Sequence, residues 1–311
     1  MVAILLATYN GSKYLSEQID SILSQTYQEF RIFIHDDGSA DETVEIINRY
    51  VNSYPDKIVC VDGPAQGSSK ENFLFLLKQV EADYYMFCDQ DDYWLPDKVE
   101  RSLEKITSLS DENDLPLLVF SDNKVVDAEK KVIDESFMHY NNLNPHKLGL
   151  NWLIMQNCAP GCTMLFNRKA REESLKYTLA PAPECIVFHD CWIILVVAAL
   201  GRIGYIDTPL MLYRQHGNNV VGACNEAGLK FKLRIIWWLI SMSHVKSTKQ
   251  RIRTCVMQGI QLQVLDLQGE SKEIVDGLCA FFSWNKIERT RFVIKHKIYR
   301  TKRNLWQILC L

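Results

Sequence analysis

The 311-residue chain contains no GxxxxGK[ST] loop, and no GxGxxG follows its first apolar run, where ATYNGS stands instead. These absences argue against P-loop enzymes and dinucleotide-binding dehydrogenases, whose phosphates rest on such glycine-rich turns. No pair among the ten cysteines has CxxC spacing, which removes the usual pattern of a zinc ribbon or dithiol redox pair. Lying mostly inside apolar runs, the cysteines are expected to be reduced core thiols of a cytosolic protein. The longest uncharged apolar runs, CWIILVVAALG and IIWWLISM, fall short of the roughly 18 residues that span a bilayer, so no transmembrane helix is expected. MVAILLATYNGSKYL lacks a basic leader and a long apolar stretch, and reads as a first strand rather than a secretory signal. Glycine and proline are sparse, at 14 and 9 residues, while 47% of the chain is hydrophobic, a composition of folded globular proteins with a substantial core.

What is present is unevenly distributed. From Leu229 onward 16 Lys and Arg face 5 Asp and Glu, so the small net charge of −3 hides a basic C-terminal region and an acidic remainder. Between residues 2 and 125 short apolar runs alternate with amphipathic stretches: VAILLAT, YLSEQIDSILSQ, RIFIHD, ADETVEIINRYV, KIVCVD, KENFLFLLKQV, YYMFCD, PDKVERSLEKI and PLLVFSD. Leu15, Ile19, Ile22 and Leu23 recur at helical spacing, whereas the strand segments are almost continuously apolar. The pattern predicts right-handed β-α-β units around a mostly parallel sheet buried on both faces, an α/β fold. Ser39 and Asp41 precede one predicted helix, and Pro96 sits where a first-turn proline is tolerated. From 126 to 228 the order is less regular, with a hairpin-like SDNKVVDAEKKVID, a strand GCTMLFN, a helix HDCWIILVVAALG and a strand pair, RIGYID and LMLYRQ. Beyond 228 the pattern turns helical and basic. The expected organisation is a catalytic domain over 1–228, divided into halves 1–125 and 126–228, followed by a helical region over 229–311.

Ligands of an open parallel sheet bind beyond the C-terminal ends of its strands. The first strand ends Ala7-Thr8-Tyr9-Asn10-Gly11, the second Asp36-Asp37-Gly38-Ser39 and the fourth Asp89-Gln90-Asp91-Asp92. Crowded carboxylates resist ionisation unless a cation compensates them. Mg²⁺ or Mn²⁺ held by one or two carboxylates keeps positions open for phosphate oxygens, so Asp89-x-Asp91 reads as a metal and diphosphate site. The alternative reading makes Asp92 and Asp97 helix caps and the rest a solvated turn.

ATYNG, DDGSADET, CDQDDYWLPDK, FHDCW and YRQHGNN, in that order, resemble glycosyltransferase family 2, the inverting transferases of the GT-A fold. The resemblance covers roughly residues 1 to 220, and the CDQDD, HDxW and YRQH variants are most similar to bacterial rhamnosyltransferase-like members that build cell-surface polysaccharides. It implies that Ala7, Thr8, Tyr9, Asn10, Asp37, Asn72, Asp89, Gln90 and Arg214 bind a nucleotide sugar, with Tyr9 and Asp37 at the base. It also implies Asp91, Asp89 and His216 as metal ligands, and Asp190 as the general base of a single inverting displacement. Many members carry Glu-Asp where His189-Asp190 stands here, and the Gln-x-x-Arg-Trp element of processive synthases is absent, so one-sugar addition is expected. The bland readings are ordinary turn chemistry near Thr8 to Asp37, a capping role for Asp190 and a structural His216.

The acceptor, a saccharide or a lipid-linked saccharide, is expected on the less regular side, near Asn157, Gly161 and Trp192. A plain tight turn at Gly161 is the competing reading. The basic C-terminal stretch with Trp237, Trp238, Phe292, Tyr299 and Trp306 suits an anionic membrane surface on the cytoplasmic side, or else a helical appendage or homodimer contact. No nucleic-acid reader motif accompanies it. Competing functions are a non-catalytic saccharide-binding protein of the same fold and a nucleotidyltransferase. The latter expects a Gly-rich, Arg-containing loop after strand one, which is missing.

Overall fold

The computed structural model describes residues 1–110, 114–216 and 243–299. The first apolar run forms β1 (Val2–Thr8), flanked by β2 (Phe30–Asp36) and β4 (Tyr84–Cys88), with β3 (Ile58–Cys60) on the far side of β2, all parallel. Val2 through Leu6 are fully buried, as expected of a strand covered on both faces. Helices α1 (Leu15–Leu23), α2 (Thr43–Ser53) and α3 (Ser69–Gln79) make the crossovers between these strands. The short strand β5 (Tyr93–Trp94) follows the acidic turn, and α4 (Lys98–Thr107) leads to β6 (Leu117–Val126). A short β7 (Val132–Asp134) folds back on β6 as the expected hairpin.

The second half departs from simple alternation. β8 (Met164–Asn167) inserts between β4 and β6, antiparallel to both. RIGYID and LMLYRQ form one strand, β9 (Arg202–Arg214), not a pair. Its register slips near Pro209 keep it against β6 while bending it. The sheet order is β3-β2-β1-β4-β8-β6-β9-β5. β5 pairs antiparallel with the end of β9, Tyr93 with Leu212 and Trp94 with Met211, which carries the residues after β9 back over the acidic turn. That bridge sets the geometry of the site.

Two short helices, α5 (Phe137–Tyr140) and α6 (Leu150–Leu153), precede β8, α7 (Arg168–Leu175) follows it, and the apolar α8 (His189–Leu200) buries Ile193 through Val197. Such a helix has no solvent face because it is packed all round. Part of its cover comes from the C-terminal helices α9 (Ser243–Leu262), α10 (Gly269–Ala280) and α11 (Lys286–Lys295), whose Val256, Leu278 and Phe292 belong to the same apolar core as Trp192. The described part of 229–311 is therefore packed on the 126–228 half. Trp237, Trp238, Trp306 and the proposed boundary at 228 lie outside the described residues. Among the described residues no helix is long and apolar enough to cross a membrane. Most described cysteines are buried or half-buried, but Cys60 is exposed at the end of β3.

Candidate active site at the strand ends

Thr8 closes β1 with its hydroxyl donating to Asp36 Oδ1 at 2.9 Å, tying the first two strand ends together. Asn10 takes a left-handed φ of 48° and its Oδ1 accepts the Ala40 N–H at 2.8 Å. The Gln90 carboxamide pairs with the Tyr9 backbone, accepting its N–H at 2.9 Å and donating to its carbonyl at 3.0 Å. The Tyr9 ring is left 57% exposed at the crevice mouth. Gln90 thus shapes the loop after β1 rather than projecting a free amide. Asp36 receives the Gly38 and Ser39 N–H groups, and Gly38 supplies the φ of +87° that this tight turn requires. Asp37 accepts N–H groups of Gln66 and Gly67, so its carboxylate ties down the loop that precedes α3. Asn72 is 1% exposed and holds His35, Oδ1 to Nδ1 at 2.9 Å. The expected donor contact by the Asn72 side chain is therefore corrected to a core hydrogen bond that stiffens β2 beneath the site.

The acidic turn divides into two groups. Asp91 Oδ2 meets His216 Nε2 at 2.8 Å, with the Tyr14 ring 5.2 Å from the imidazole. Asp89, Asp92 and Cys162 form the other group, their ligating atoms lying within 4.8 Å of one another. Asp92 is not a helix cap: α4 starts at Lys98, and Asp92 Oδ1 instead accepts the Arg214 N–H at 3.0 Å. Asp97, at the cap position itself, makes no side-chain capping bond either. Burial, reinforced by Asp91 and Asp89, pushes the Asp92 carboxyl far above the ordinary range. Asp89 is shifted the same way by burial and by its neighbours Asp91 and Asp190.

Lys98 supplies an internal cation that the sequence reading missed. It is fully buried, donates to the Cys162 carbonyl at 2.7 Å and lies over the Trp94 ring. Desolvation lowers its pKa to about 8, against the opposing pull of the nearby thiols and carboxylates. Burial also pushes the Cys162 thiol well up, which keeps it neutral. A neutral thiol beside a buried ammonium is a poor seat for a hard cation. The signal in the sequence was a lysine one residue before the Val99, Ser102 and Ile106 buried face.

Arg214 does not project into the crevice. Its side chain is 3% exposed, with Nε donating to the Asp91 carbonyl at 2.9 Å, Nη1 to the Ala128 carbonyl at 2.6 Å and Nη2 to Glu17. The expected phosphate contact is corrected to a brace between α1, the acidic turn and the end of β9. No feature of the local sequence announced Glu17 as its partner.

Asp190 stands in the first turn of α8, whose N-cap is Phe188 without a side-chain cap, and its Oδ1 accepts the Cys191 N–H at 2.6 Å, so it satisfies one N–H of the helix start from inside the first turn. The helix dipole favours a carboxylate there. Asn157 Nδ2 reaches Asp190 Oδ2 at 3.3 Å, and burial raises the carboxyl's pKa against the lowering effect of the Cys191 and Gly161 N–H groups. Gly161 is needed for this approach, because a Cβ there would come 2.9 Å from His189 Nε2 and 3.3 Å from Asp190 Cβ. Gly161→Ala is expected to destabilise the protein by about 1–3 kcal/mol and to lower turnover, measured by thermal melting and by assay. His189 packs between Phe73 and Phe87, with ring centroids at 4.2 and 4.7 Å, and its burial drops the pKa to about 3. It is a neutral aromatic wedge that fixes the start of α8. Trp192 lies in the core, 3% exposed, with its indole N–H on the Ser174 carbonyl at 2.8 Å. Its expected place on the acceptor side is corrected accordingly.

Residues 3–175 match the family described as Glycosyl transferase family 2. The chain is 30% identical over 237 residues to the dTDP-rhamnosyl transferase RfbG of Shigella flexneri, covering 73% of this chain and 77% of that protein. It is 29% identical to an uncharacterized glycosyltransferase of Nostoc over 222 residues, 70% of this chain and 66% of that one. Among solved structures, S. aureus TarS 1–349 in complex with UDP-GlcNAc superposes with a TM-score of 0.57 at 16% identity, covering 97% and 82% of the two chains, which speaks to fold. The mixed sheet flanked by helices is the GT-A fold, and the chain belongs to glycosyltransferase family 2.

Proposed function

We propose that this glycosyltransferase moves a single sugar, with inversion, from a nucleotide-diphosphate donor to a saccharide or lipid-linked acceptor in cell-surface polysaccharide synthesis. The observation that carries the reading is Asp190, tethered by Asn157 and Gly161 at the start of α8 and electrostatically in reach of Asp89. A half-buried carboxylate with a raised pKa is a better proton acceptor than a solvated one. Asp190 takes the proton of the acceptor hydroxyl as that oxygen forms the new glycosidic bond and the nucleoside diphosphate leaves. The exposed Tyr9 ring offers a face for the base, beside the turn braced by Asp37. Similarity to RfbG favours dTDP-rhamnose as donor, and the fold shared with the UDP-GlcNAc complex makes UDP-sugars the second class.

Asp91 and His216 bring a carboxylate oxygen and an imidazole nitrogen together, a donor pair that fits Mg²⁺ or Mn²⁺, and a cation there would favour ionisation of the neighbouring Asp89, whose pKa burial and Asp91 raise. A bound divalent cation would offset the carboxylate repulsion and the charge gathering on the leaving diphosphate. The test is a panel of dTDP- and UDP-sugars, followed by thermal shift and by NMR of the product anomer. One donor is expected to stabilise the protein by about 2–4 kcal/mol at 100 to 1,000 times its Kd. EDTA or Asp91→Asn is expected to remove most of that shift, and undiminished stabilisation in EDTA sinks the metal assignment. A retained anomeric configuration sinks inversion.

A further inference from the structure

Beside the Asn157 segment lies a cleft of about 170 Å³ whose walls include Trp152, Lys147, Asn142, Asn144, Gln156 and Cys158. Its volume suits one ring rather than a drug-sized ligand, whose pockets run about 300 Å³ and upward. Gln156 and Cys158 flank Asn157, the residue that donates to Asp190, so a single short segment carries both the cleft wall and the tether of the base. Trp152 sits on α6 (Leu150–Leu153) and is held from behind: Tyr299 meets its ring edge-on at 6.0 Å, and Asn151 Nδ2 donates to the His296 carbonyl at 2.9 Å. Among the described residues the Asn142 and Gln156 carboxamides have no hydrogen-bond partner, and Asn142 is fixed in a left-handed turn with φ 50°. Lys147 Nζ lies 3.8 Å from the Trp152 ring centroid, and no carboxylate lines the cleft.

We infer that this cleft binds the acceptor: a saccharide ring bearing an acidic group, carboxylate or phosphate, stacks on Trp152 with its acid on Lys147. This deepens the transfer reading and rests on it. A fixed indole offers an apolar face to the C–H side of a sugar, and the two unpaired carboxamides offer donors and acceptors to its hydroxyls. The exposed lysine covers that face only through a weak cation–π contact, so a ring displaces it at little cost and gains its charge as a partner. A neutral sugar would leave the ammonium unmatched, which is why the acidic class is favoured.

The experiment exposes the full chain to an array of neutral, uronate-bearing and phosphate-bearing oligosaccharides, with a parallel thermal shift by UDP and dTDP. Tighter binding of an acidic glycan than of its neutral counterpart is expected, with the two acidic arms identifying which acid is used. Trp152→Ala is expected to weaken that binding by about tenfold, and Trp152→Phe to retain part of it. Lys147→Gln is expected to erase the preference for acid while sparing neutral binding. All three variants keep the nucleotide shift, which reports an intact fold and donor site. Nucleotide binding with no glycan response, glycan binding indifferent to Trp152, or equal binding of neutral and acidic glycans overturns the inference. Glycan binding through Trp152 without any nucleotide response would overturn the transfer reading alone.

Discussion

Asp190→Asn is expected to lower sugar transfer by about 10²- to 10⁴-fold while leaving nucleotide-induced stabilisation in place. Asparagine keeps the shape of the carboxylate and can still face the Asn157 amide and the Gly161 N–H, but it cannot accept the acceptor's proton. Stability separates this role from a structural one. The folded pKa of Asp190 is raised by burial, so the native state holds the proton more tightly than the unfolded chain does. Its contribution is therefore complete below the unfolded value and diminishes as pH rises through the raised folded value. Removing the charge should leave the melting temperature at neutral pH unchanged or higher, whereas loss of a structural carboxylate would lower it. For the wild-type enzyme the same shift moves the acid limb of the rate profile upward from the ordinary aspartate position, with transfer increasing as Asp190 ionises. A rate profile of the variant that keeps this limb would assign it to another group.

The strands carrying this chemistry were readable because β1 and β4 are buried on both faces, β2 buries Phe30, Ile32 and Ile34 on one, and all three end in abrupt polar turns, at Thr8, Asp36 and Asp89. Periodicity reports such a boundary directly. It does not report where a side chain goes once a turn is closed by distant residues. Trp192 shows the limit: it follows Asp190 by two residues, about 200° round a helix, so one facing the crevice sends the other into the core. Asn72, near the start of α3, and Arg214, at the end of β9, are polar residues close to the strand ends, and each is bonded to a partner far along the chain, His35 and Glu17. Neither partner has a local signature. β8 entered the sheet between β4 and β6 although its short apolar run carried no mark of direction, and the β5–β9 bridge depends on two residues, Tyr93 and Trp94. Yet that bridge is what joins the CDQDD and YRQH segments, which lie more than a hundred residues apart, into the Asp91–His216 pair.

The brace beneath that pair gives the largest expected effect on stability. Arg214→Ala should cost about 2–4 kcal/mol, below the figure for a fully buried ion pair because Glu17 is 36% exposed. The loss has several parts: the Asp91 and Ala128 carbonyls lose their donors, Glu17 keeps only Lys130, and the Tyr14 ring loses the guanidinium 4.5 Å from its centroid. Arg214→Lys should recover only part of this, since one ammonium cannot reproduce a fork that donates in three directions. The pH dependence identifies the Glu17 share. Burial works to raise the Glu17 pKa, but its bonds to Lys130 and Arg214 prevail and hold it below the ordinary value. A depressed carboxyl stabilises the fold above its unfolded pKa and loses that contribution as pH falls through the folded value. Denaturant titrations from pH 7 downward should therefore show a shallower acid loss in Arg214→Ala than in the wild type. Because Arg214 also fixes the backbone of Asp91, the metal-dependent part of nucleotide stabilisation should shrink in the same variant. If stability falls while the metal dependence stays whole, the brace supports the fold alone and Asp91 is positioned by the β5–β9 pairing.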